Sequence, residues 1–506
     1  MKNIFAILLL VISISTLNAS PQSPDNEIMN GLNDIYNLRF DNAEKTFLNI
    51  QKSNPGDLSG YFYESLVYFY RALPTRDEAM YNKFLELSEK VIDKAEAKLD
   101  NNEKDYDALY YKGLSHSYRS LLMLSINKNL LQAASNGNDG YRILSSLIET
   151  KPDYYDAYMG LGLYKIAIGF VPEKFQWLLS LIGFSGNINE GISLLKTSMD
   201  KGKFTKIDSR MFLSLFSIKE KEDEDGYSLK LSSQLINDYP ESPVFRIFYS
   251  TILLQSGLTE DAIKESESAI ELNKNSFQKE IRKAAFSILG ISYFRLNDFK
   301  RASENLEESM KYVNSEDRYN VYLFTLATAY ELNGEREKAL IKYKAVRNNY
   351  VNERDGELDK FFYRYAQDKI RKPINEFEIK LVEGMNLRES NKPGEAIDLY
   401  KSMIDSRLTE KYKDDDALIK FYFDMGLAYM YNKSFDNAEE SFLKCIKLQP
   451  QNEKWLIPHA YFELGKIYAR KNNKTRSEEM FEKIFEYDDF DFESFLEMRL
   501  ANYRGN

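Results

Sequence analysis

The sequence is poor in the side chains on which most enzyme and metal sites depend. Its 506 residues include one cysteine, Cys445, and two histidines, His116 and His459. A single cysteine excludes an intramolecular disulfide and a thiolate metal site. No phosphate-binding glycine loop, dinucleotide fingerprint or G-x-S-x-G nucleophile motif occurs. We therefore expect no enzyme, no bound metal and no cofactor.

Helix breakers and tryptophan are also scarce, with 12 Pro, 23 Gly and 2 Trp. The chain is instead rich in Tyr (36) and Phe (32), which suit seams between helices because a tyrosine ring can be buried while its hydroxyl stays hydrated. Acidic residues outnumber basic ones, 78 to 68, which gives a net charge of −10. An acidic surface repels phosphate backbones, so no nucleic-acid partner is expected. The composition favours an all-α protein that is too long for one compact core.

The first residues form a targeting segment rather than part of the fold. Lys2 provides a positive start, Ile4 to Ile14 are apolar, and Leu-Asn-Ala at 17–19 precedes Ser20 as a cleavage site. This pattern predicts a secretory signal peptide over residues 1–19, and therefore an exported protein that is periplasmic or secreted. The alternative is an uncleaved N-terminal anchor, which places the rest of the chain on the same side of the membrane.

Small and aromatic residues recur along the chain at matching spacings. The clearest copy consists of Gly426, Tyr429, Ala438, Phe442 and Pro450. Further copies are centred on Gly31, Ala43 and Phe47; on Ala262 and Ala269; on Gly290, Tyr293 and Ala302; on Ala327, Tyr330, Ala339 and Tyr343; on Gly384, Ala396 and Tyr400; and on Gly465, Tyr468 and Phe481. The pattern is that of the tetratricopeptide repeat of about 34 residues, a helical hairpin in which small residues let two helices approach closely. It predicts a tetratricopeptide-type α-solenoid, a superhelix of stacked hairpins.

The spacing between copies is irregular, so longer helices or loops must lie between some hairpins, the longest being residues 351–375. The expected organisation after the signal is N-terminal helical repeats over 20–149, a distinct helical segment over 150–206, and a continuous solenoid of C-terminal repeats over 207–506. The distinct segment lacks the repeat pattern, and we expect it to contain two apolar helices that meet at Pro172, followed by a glycine-rich turn and a third helix.

The distinct segment resembles a stretch of the tetratricopeptide repeat protein 39 family, which includes the fungal inclusion-body-clearing proteins. The residues that carry the resemblance are Pro172, Leu179, Gly183, Phe184, Ser185, Gly186, Asn187 and Gly191, with His459–Gly465 and the acidic-aromatic Tyr487–Glu493 near the C-terminus. The resemblance implies an α-solenoid without a catalytic centre, whose eukaryotic relatives are tied to lipid handling and inclusion clearance. The signal peptide departs from those relatives, which work inside the cell.

Three other features have plain structural interpretations. The apolar stretch 159–184 is interrupted by charges and by Pro172, which predicts buried helices, with peripheral membrane contact as the alternative. Residues 220–225 lack the register of a calcium loop, and Asp414–Asp416 are suited to the start of a helix. His116, between Tyr111 and Tyr118, is expected to be a core or seam histidine with its hydrogen bonds satisfied.

The first helix of each hairpin lines the concave side of such a solenoid. The positions that face ligands in known tetratricopeptide folds correspond here to Phe294, Arg295, Phe324, Arg388, Lys420, Phe423, Met430, His459, Phe462, Lys466 and Arg470. This set is basic and aromatic although the chain is acidic. It predicts an interaction scaffold whose concave face binds a protein or peptide with acidic groups or a terminal carboxylate. A peripheral membrane or lipid-associated module is the alternative.

Overall fold

The structure, a computed structural model, describes residues 24–126, 129–169, 186–217, 226–273, 278–313, 320–351 and 356–504. The described residues form 25 α-helices and no β-strand. They divide into two compact units after Ala157. The fold is therefore the all-α helical-repeat fold that the sequence predicts. The signal peptide 1–19 and the acidic residues 220–225 lie outside the described residues, and the predictions for them stay predictions.

The first unit consists of three pairs of consecutive helices that pack against one another. These are α1 Pro24–Tyr36, α2 Phe40–Ser53, α3 Leu58–Thr75, α4 Glu78–Leu99, α5 Tyr106–Ser125 and α6 Leu130–Thr150. Three of the helices begin at an aspartate whose carboxylate accepts a backbone N–H of the first turn: Asp57 from Ser59, Asp77 from Met80 and Asp105 from Ala108. Such caps satisfy amide groups that have no partner within the helix and so fix where each helix starts.

The second unit contains the remaining nineteen helices. They are α7 Ala157–Gly169, α8 Ile188–Lys201, α9 Lys206–Phe216, α10 Tyr227–Asp238, α11 Pro243–Gln255, α12 Thr259–Leu272, α13 Gln278–Arg295, α14 Phe299–Met310, α15 Asn320–Leu332, α16 Arg336–Asn349, α17 Glu357–Arg371, α18 Glu376–Glu389, α19 Pro393–Asp405, α20 Leu408–Lys411, α21 Asp415–Tyr431, α22 Phe435–Cys445, α23 Leu456–Arg470, α24 Lys474–Ile484 and α25 Glu493–Arg504. The sequence predicts either a longer helix or a loop over residues 351–375. In the structure, helix α17 forms most of this interval.

In several hairpins the seam is built from a glycine on the first helix and a large residue on the second. A methyl group added at Gly426 would collide with the Phe442 ring, and one added at Gly465 would collide with Phe481. Gly31 lies in the same way against the ring of Phe47 in the first unit. The absence of a side chain lets the aromatic ring lie against the helix backbone. The close approach predicted from the repeat pattern is confirmed at these hairpins.

Aromatic rings form the centre of the first unit. The ring of Phe62 lies 5.2 Å from that of Tyr111, and Phe69 makes an edge contact with Tyr118 at 4.9 Å between ring centroids. His116 lies in the same region, with its Nδ1 3.0 Å from the amide oxygen of Asn136. Burial lowers the pKa of His116. His116 is partly buried and has a hydrogen-bond partner, which fits the predicted seam histidine rather than one of the deep core.

The distinct segment after residue 150 is described in part, as α7 and α8. A side-chain carbon at Gly162 would lie 2.8 Å from the carbonyl oxygen of Gly191, so these helices also cross at small residues. Lys165 of α7 is buried, and its ammonium lies 3.1 Å from Glu190 of α8. The helix predicted after the glycine-rich turn is confirmed as α8, which the side chain of Asn187 caps.

Residues 170–185, which include Pro172, Leu179 and Gly183–Ser185, lie outside the described residues. Of the apolar stretch 159–184, the structure therefore describes only the part within α7. Among the described residues, no helix combines the length and apolar character that crossing a bilayer requires.

Cys445 ends helix α22 and is fully buried. Its sulfur lies 3.8 Å from the carbonyl oxygen of Ile419 on α21, and burial raises the pKa of the thiol. The side chain therefore acts as a small apolar residue of the hairpin core.

Candidate functional site

The eleven residues predicted to face a ligand all lie in the second unit, on helices that precede a hairpin turn. Phe294 and Arg295 are on α13, Phe324 on α15, Arg388 on α18, Lys420, Phe423 and Met430 on α21, and His459, Phe462, Lys466 and Arg470 on α23. Five of them are buried: Arg388, Met430, His459, Phe462 and Lys466. Arg470 is exposed, and the other five are partly buried. Ligand contact by the buried five would require a rearrangement, and a binding role for the set stays a prediction.

Two of the basic candidates meet at one glutamate. The guanidinium of Arg295 lies 3.7 Å from one carboxylate oxygen of Glu389, and Arg388 donates to the other oxygen at 2.5 Å. Arg295 also donates to the carbonyl oxygen of Leu254 at 2.5 Å. Much of the positive charge that the sequence assigned to the concave face is therefore matched by groups of the protein itself.

Arg388 belongs to a buried ion pair that joins three helices. It donates to Asp424 of α21 from Nε at 2.8 Å and from Nη2 at 2.6 Å, and both side chains are only 6% exposed. Asp424 also accepts the hydroxyl of Tyr400 on α19. Burial disfavours the charged guanidinium, yet Asp424 and Glu389 raise the pKa of Arg388. The arrangement fixes the relative positions of α18, α19 and α21.

The candidates on α23 form a second charged cluster. Glu463 accepts from Lys466 and from Arg499 of α25, each at 3.1 Å. Burial alone would raise the pKa of Glu463, but these two cations hold it below its ordinary value. The Arg499 guanidinium also lies over the Phe462 ring, 4.6 Å from its centroid. Lys466 and Phe462 therefore contribute to the packing of the last helix.

His459 lies next to this cluster in an apolar setting. Its ring makes an edge contact with Trp455, with 5.2 Å between the ring centroids. Burial and, to a smaller extent, the positive charge of Arg499 lower the pKa of His459 to about 3. The imidazole is therefore neutral at neutral pH.

Lys420 lies in a third cluster, which contains side chains that the repeat pattern did not single out. Its ammonium donates to the hydroxyl of Tyr365 at 3.1 Å and lies 3.6 Å from Glu453. Glu453 also accepts from the indole of Trp455 at 2.8 Å and lies 3.7 Å from Arg364. Burial disfavours the charged ammonium, but Tyr365 and Glu453 raise the pKa of Lys420. Glu453 thus links α17, α21 and the start of α23.

The acidic residues at the start of α21 hold this cluster in place. Asp414 caps the helix by accepting from the backbone of Ala417, as the sequence predicts. Asp416 accepts from the backbone N–H of Asn452 and of Glu453 at 2.9 and 3.0 Å. The last contact fixes the backbone from which the Glu453 side chain projects. This contact could not be predicted from the sequence, because a carboxylate near a helix start is already accounted for by capping.

Phe324 and Phe423 have mainly structural contacts. Phe324 packs against Phe362 of α17 with 4.9 Å between ring centroids, and Phe423 makes an edge contact with Phe442 at 5.6 Å. Arg470 remains accessible, with its guanidinium 5.5 Å from the ring centroid of Phe435. Within the described ranges, no three His, Cys, Asp or Glu side chains are arranged to hold a metal ion.

Comparison with known families gives two matches. Residues 156–382 match the model of the Iml2/Tetratricopeptide repeat protein 39 family. Residues 419–452 and 458–491 each match the tetratricopeptide repeat. The first match begins two residues before the second compact unit, at residue 156 against Tyr158, and the other two fall on the hairpins α21–α22 and α23–α24.

Solved structures of helical-repeat proteins are similar at low identity. The apo form of RapI is 15% identical over 88% of this chain and 99% of its own, with a TM-score of 0.39. YrrB, described as a TPR protein with an unusual peptide-binding site, is 18% identical over 45% of this chain and 96% of its own, with a TM-score of 0.21. NprR in complex with its cognate peptide NprX is 12% identical over 58% of this chain and 82% of its own, with a TM-score of 0.24.

Proposed function

From the premise that this chain is a tetratricopeptide-repeat protein with a region of the tetratricopeptide repeat protein 39 type, we propose that it is an exported scaffold that binds a protein or peptide. The observation that carries the proposal is the pair of consecutive repeats, α21–α22 and α23–α24, with glycine-based seams at Gly426 and Gly465. Stacked hairpins of this kind present their first helices as one extended surface. Binding a partner chain is the use that such a surface supports best.

The partner carries acidic groups in this proposal. Arg470 is the candidate that supports this part, because its side chain is exposed at the end of α23 beside the partly buried Phe435. A guanidinium next to an aromatic ring can bind a carboxylate in two-pronged geometry while the ring contacts apolar parts of the ligand.

Site-specific photocrosslinking in the producing cell tests the scaffold function. A photoreactive phenylalanine analogue replaces Arg470, on the first helix of its hairpin, or Glu479, an exposed residue on the second helix α24. We expect a discrete crosslinked protein from position 470 and none from position 479. Equal crosslinking from both positions, or none from either, would contradict the proposed binding face.

Export is tested separately, because it rests on the sequence of residues 1–19. Mass spectrometry of the N-terminal peptide of the protein isolated from the cell envelope or the medium should show a chain that begins at Ser20. A variant that lacks Ile4–Ile14 should remain in the cytoplasm at full length. If the variant that lacks Ile4–Ile14 were recovered from the cell envelope or the medium like the full-length chain, the proposed signal would be ruled out.

A second candidate function, attachment to a membrane surface, is supported by a different place in the chain. Leu130 and Leu131 at the start of α6 are 55% and 86% exposed, and Leu124 at the end of α5 is exposed as well. Apolar side chains grouped at a helix turn can insert into a lipid surface. Flotation with vesicles of neutral and anionic lipid tests the attachment. The unmodified chain should float with the vesicles, and the Leu131→Glu variant should not.

A further inference from the structure

Helix α17 has two faces that contact different parts of the second unit. One face belongs to its own neighbourhood: Ala366 is fully buried in the apolar cluster of α15 and α16, and Phe362 packs against the same cluster. Arg336 at the start of α16 also donates to the carbonyl oxygen of Lys369 at 2.5 Å. This face gives α17 the contacts that an added helix at the end of a hairpin needs to be stable.

The other face of α17 is formed by Phe361, Arg364 and Tyr365. Residues three and four positions apart lie on the same side of a helix, so these three side chains point the same way. Arg364 reaches Asp491, 127 residues downstream, and Tyr365 reaches Lys420, 55 residues downstream. This face therefore contacts the C-terminal repeats, and Tyr365 also contacts the neighbouring hairpin, through an edge contact with Phe324 at 5.8 Å between ring centroids.

The surface that receives these side chains, termed here the α17-facing surface, consists of Lys420, Glu453, Trp455, Asp491 and Phe492. The Phe361 ring lies 5.7 Å from that of Phe492 and 6.3 Å from that of Trp455. Arg364 donates to Asp491 at 2.5 Å and lies 3.7 Å from Glu453. An aromatic residue, an arginine and a tyrosine of one helix thus meet aromatic rings, two carboxylates and an ammonium.

The same surface includes positions that the repeat pattern assigns to ligands. Lys420 is one of the predicted binding residues, and Trp455 contacts another, His459. In helix-in-groove recognition, a helix presents side chains at i, i+3 and i+4 to a groove formed by other helices. The contact made by α17 has this form, with the helix supplied by the same chain.

We propose that the α17-facing surface is a helix-binding groove that α17 occupies in cis, and that a partner helix with an aromatic residue, an arginine and a tyrosine at the same spacing replaces it. The replacement separates Phe361, Arg364 and Tyr365 from the groove while Phe362 and Ala366 keep their contacts with α15 and α16. The proposal goes beyond the proposed function, because this partner helix offers an arginine to the carboxylates of the groove, whereas the partner proposed at Arg470 carries acidic groups.

The contact is built so that it can be exchanged. The Arg364 side chain is 34% exposed, so water reaches the arginine, whereas the carboxylates of Asp491 and Glu453 are only 10% and 5% exposed and need a cation beside them. A second helix that offers the same groups would form equivalent contacts. The advantage of α17 is its high local concentration, which excludes weak partners and admits those that bind more tightly.

The test uses only the full chain and a labelled synthetic peptide of residues 356–372. The triple variant Phe361→Ala/Arg364→Ala/Tyr365→Ala removes from the groove the three side chains of α17 that occupy it. We expect this variant to bind the peptide at least about tenfold more tightly than the unmodified chain does, as measured by fluorescence anisotropy. A peptide with the same three substitutions should bind neither chain. Arg371→Ala is the matched control, because Arg371 lies on the same helix and is 72% exposed. That chain should behave like the unmodified one.

A triple variant that retains its circular dichroism and does not gain peptide affinity would overturn the proposal. If the variant does not fold, charge exchange gives a second test. The chain with Asp491→Lys should bind a peptide that carries Arg364→Glu more tightly than it binds the original peptide, and absence of this exchange would also overturn the proposal. Failure of crosslinking at position 470 would leave these results unchanged, so the two proposals fail separately.

Discussion

The seams at Phe442 and Tyr400 occupy the same repeat position but have different chemistry. Both rings lie against a glycine of the preceding helix, Gly426 and Gly384 respectively. Phe442 completes an apolar seam, whereas the hydroxyl of Tyr400 donates to Asp424, which in turn binds Arg388. The Tyr400 hydroxyl therefore connects its seam to a buried ion pair, whereas the Phe442 ring has no polar atom that could do so.

The difference shows how a repeat protein can vary a seam without losing the hairpin. Close packing at glycine stabilises any hairpin, but it does not distinguish one neighbour from another. A buried ion pair contributes little net stability, because both charges lose their hydration, yet removal of one partner leaves a buried charge. We infer that the Phe442 seam supplies stability and that the Tyr400 seam fixes which helices meet.

The largest expected effect comes from removing one member of the ion pair. Asp424→Ala should lower the free energy of unfolding by about 3–5 kcal/mol, since the buried Arg388 loses both contacts with this carboxylate and keeps the more exposed Glu389. Urea denaturation followed by circular dichroism measures the change. The double variant Arg388→Met/Asp424→Leu should recover most of the loss, and a double variant as unstable as Asp424→Ala would show that the pair supplies stability after all.

Gly426→Ala tests the packing seam and should cost about 1–3 kcal/mol, because the added methyl group collides with the fully buried Phe442 ring. Gly394→Ala is the matched control. Gly394 lies in the first turn of α19, and a side-chain carbon there would have no neighbouring atom within 4 Å. We expect that variant to be neutral or slightly stabilised, because alanine favours helix more than glycine does. Equal losses at both positions would refute the seam argument.

Acidification should weaken the second unit through His459. Its folded-state pKa of about 3 lies below the ordinary value of 6.5, so the unfolded chain takes up a proton that the folded chain refuses. The free energy of unfolding therefore falls as pH decreases from 6.5 toward 3, by about 2 kcal/mol between pH 6.5 and 5. Trp455 fluorescence during denaturation reports this unit. His459→Gln should remove this part of the pH dependence, and an unchanged slope would contradict the assignment.

The smallest expected effect is that of Tyr400→Phe, which converts the polar seam toward the Phe442 type. The variant keeps the ring against Gly384 but removes one hydrogen bond to Asp424, which should cost about 1 kcal/mol. Asp424 keeps its contacts with Arg388, so the loss should be well below that of Asp424→Ala. A loss as large as that of Asp424→Ala would mean that the hydroxyl, rather than the guanidinium, holds the carboxylate in place.

The hairpins could be predicted from the sequence because their contacts are local and periodic. Gly426 and Phe442 are separated by the spacing that the repeat prescribes, so the contact between them follows from the pattern. The caps at Asp57 and Asp414 follow from the preference for a short acidic side chain at a helix start. The all-α fold and the repeat class both follow from features of this kind.

The contacts of α17 and Glu453 could not be predicted in the same way. Arg364 and Asp491 are joined across 127 residues, and no repeat spacing connects them. The repeat pattern places Lys420 and His459 on the inner side of the hairpins, but it does not reveal that Tyr365 and Trp455 cover them. The excess length at 351–375 was the one sequence signal of an added element.

Cys445 gives a direct way to observe opening of the hairpin α21–α22. A thiol that is buried and whose pKa is raised reacts slowly with disulfide reagents, so the folded protein should resist labelling even in an oxidising compartment. Each labelled molecule therefore records an opening event, and the labelling rate at low denaturant reports the free energy of that local opening. The labelling rate of Cys445 therefore measures how often the hairpin α21–α22 opens, and no engineered label is needed.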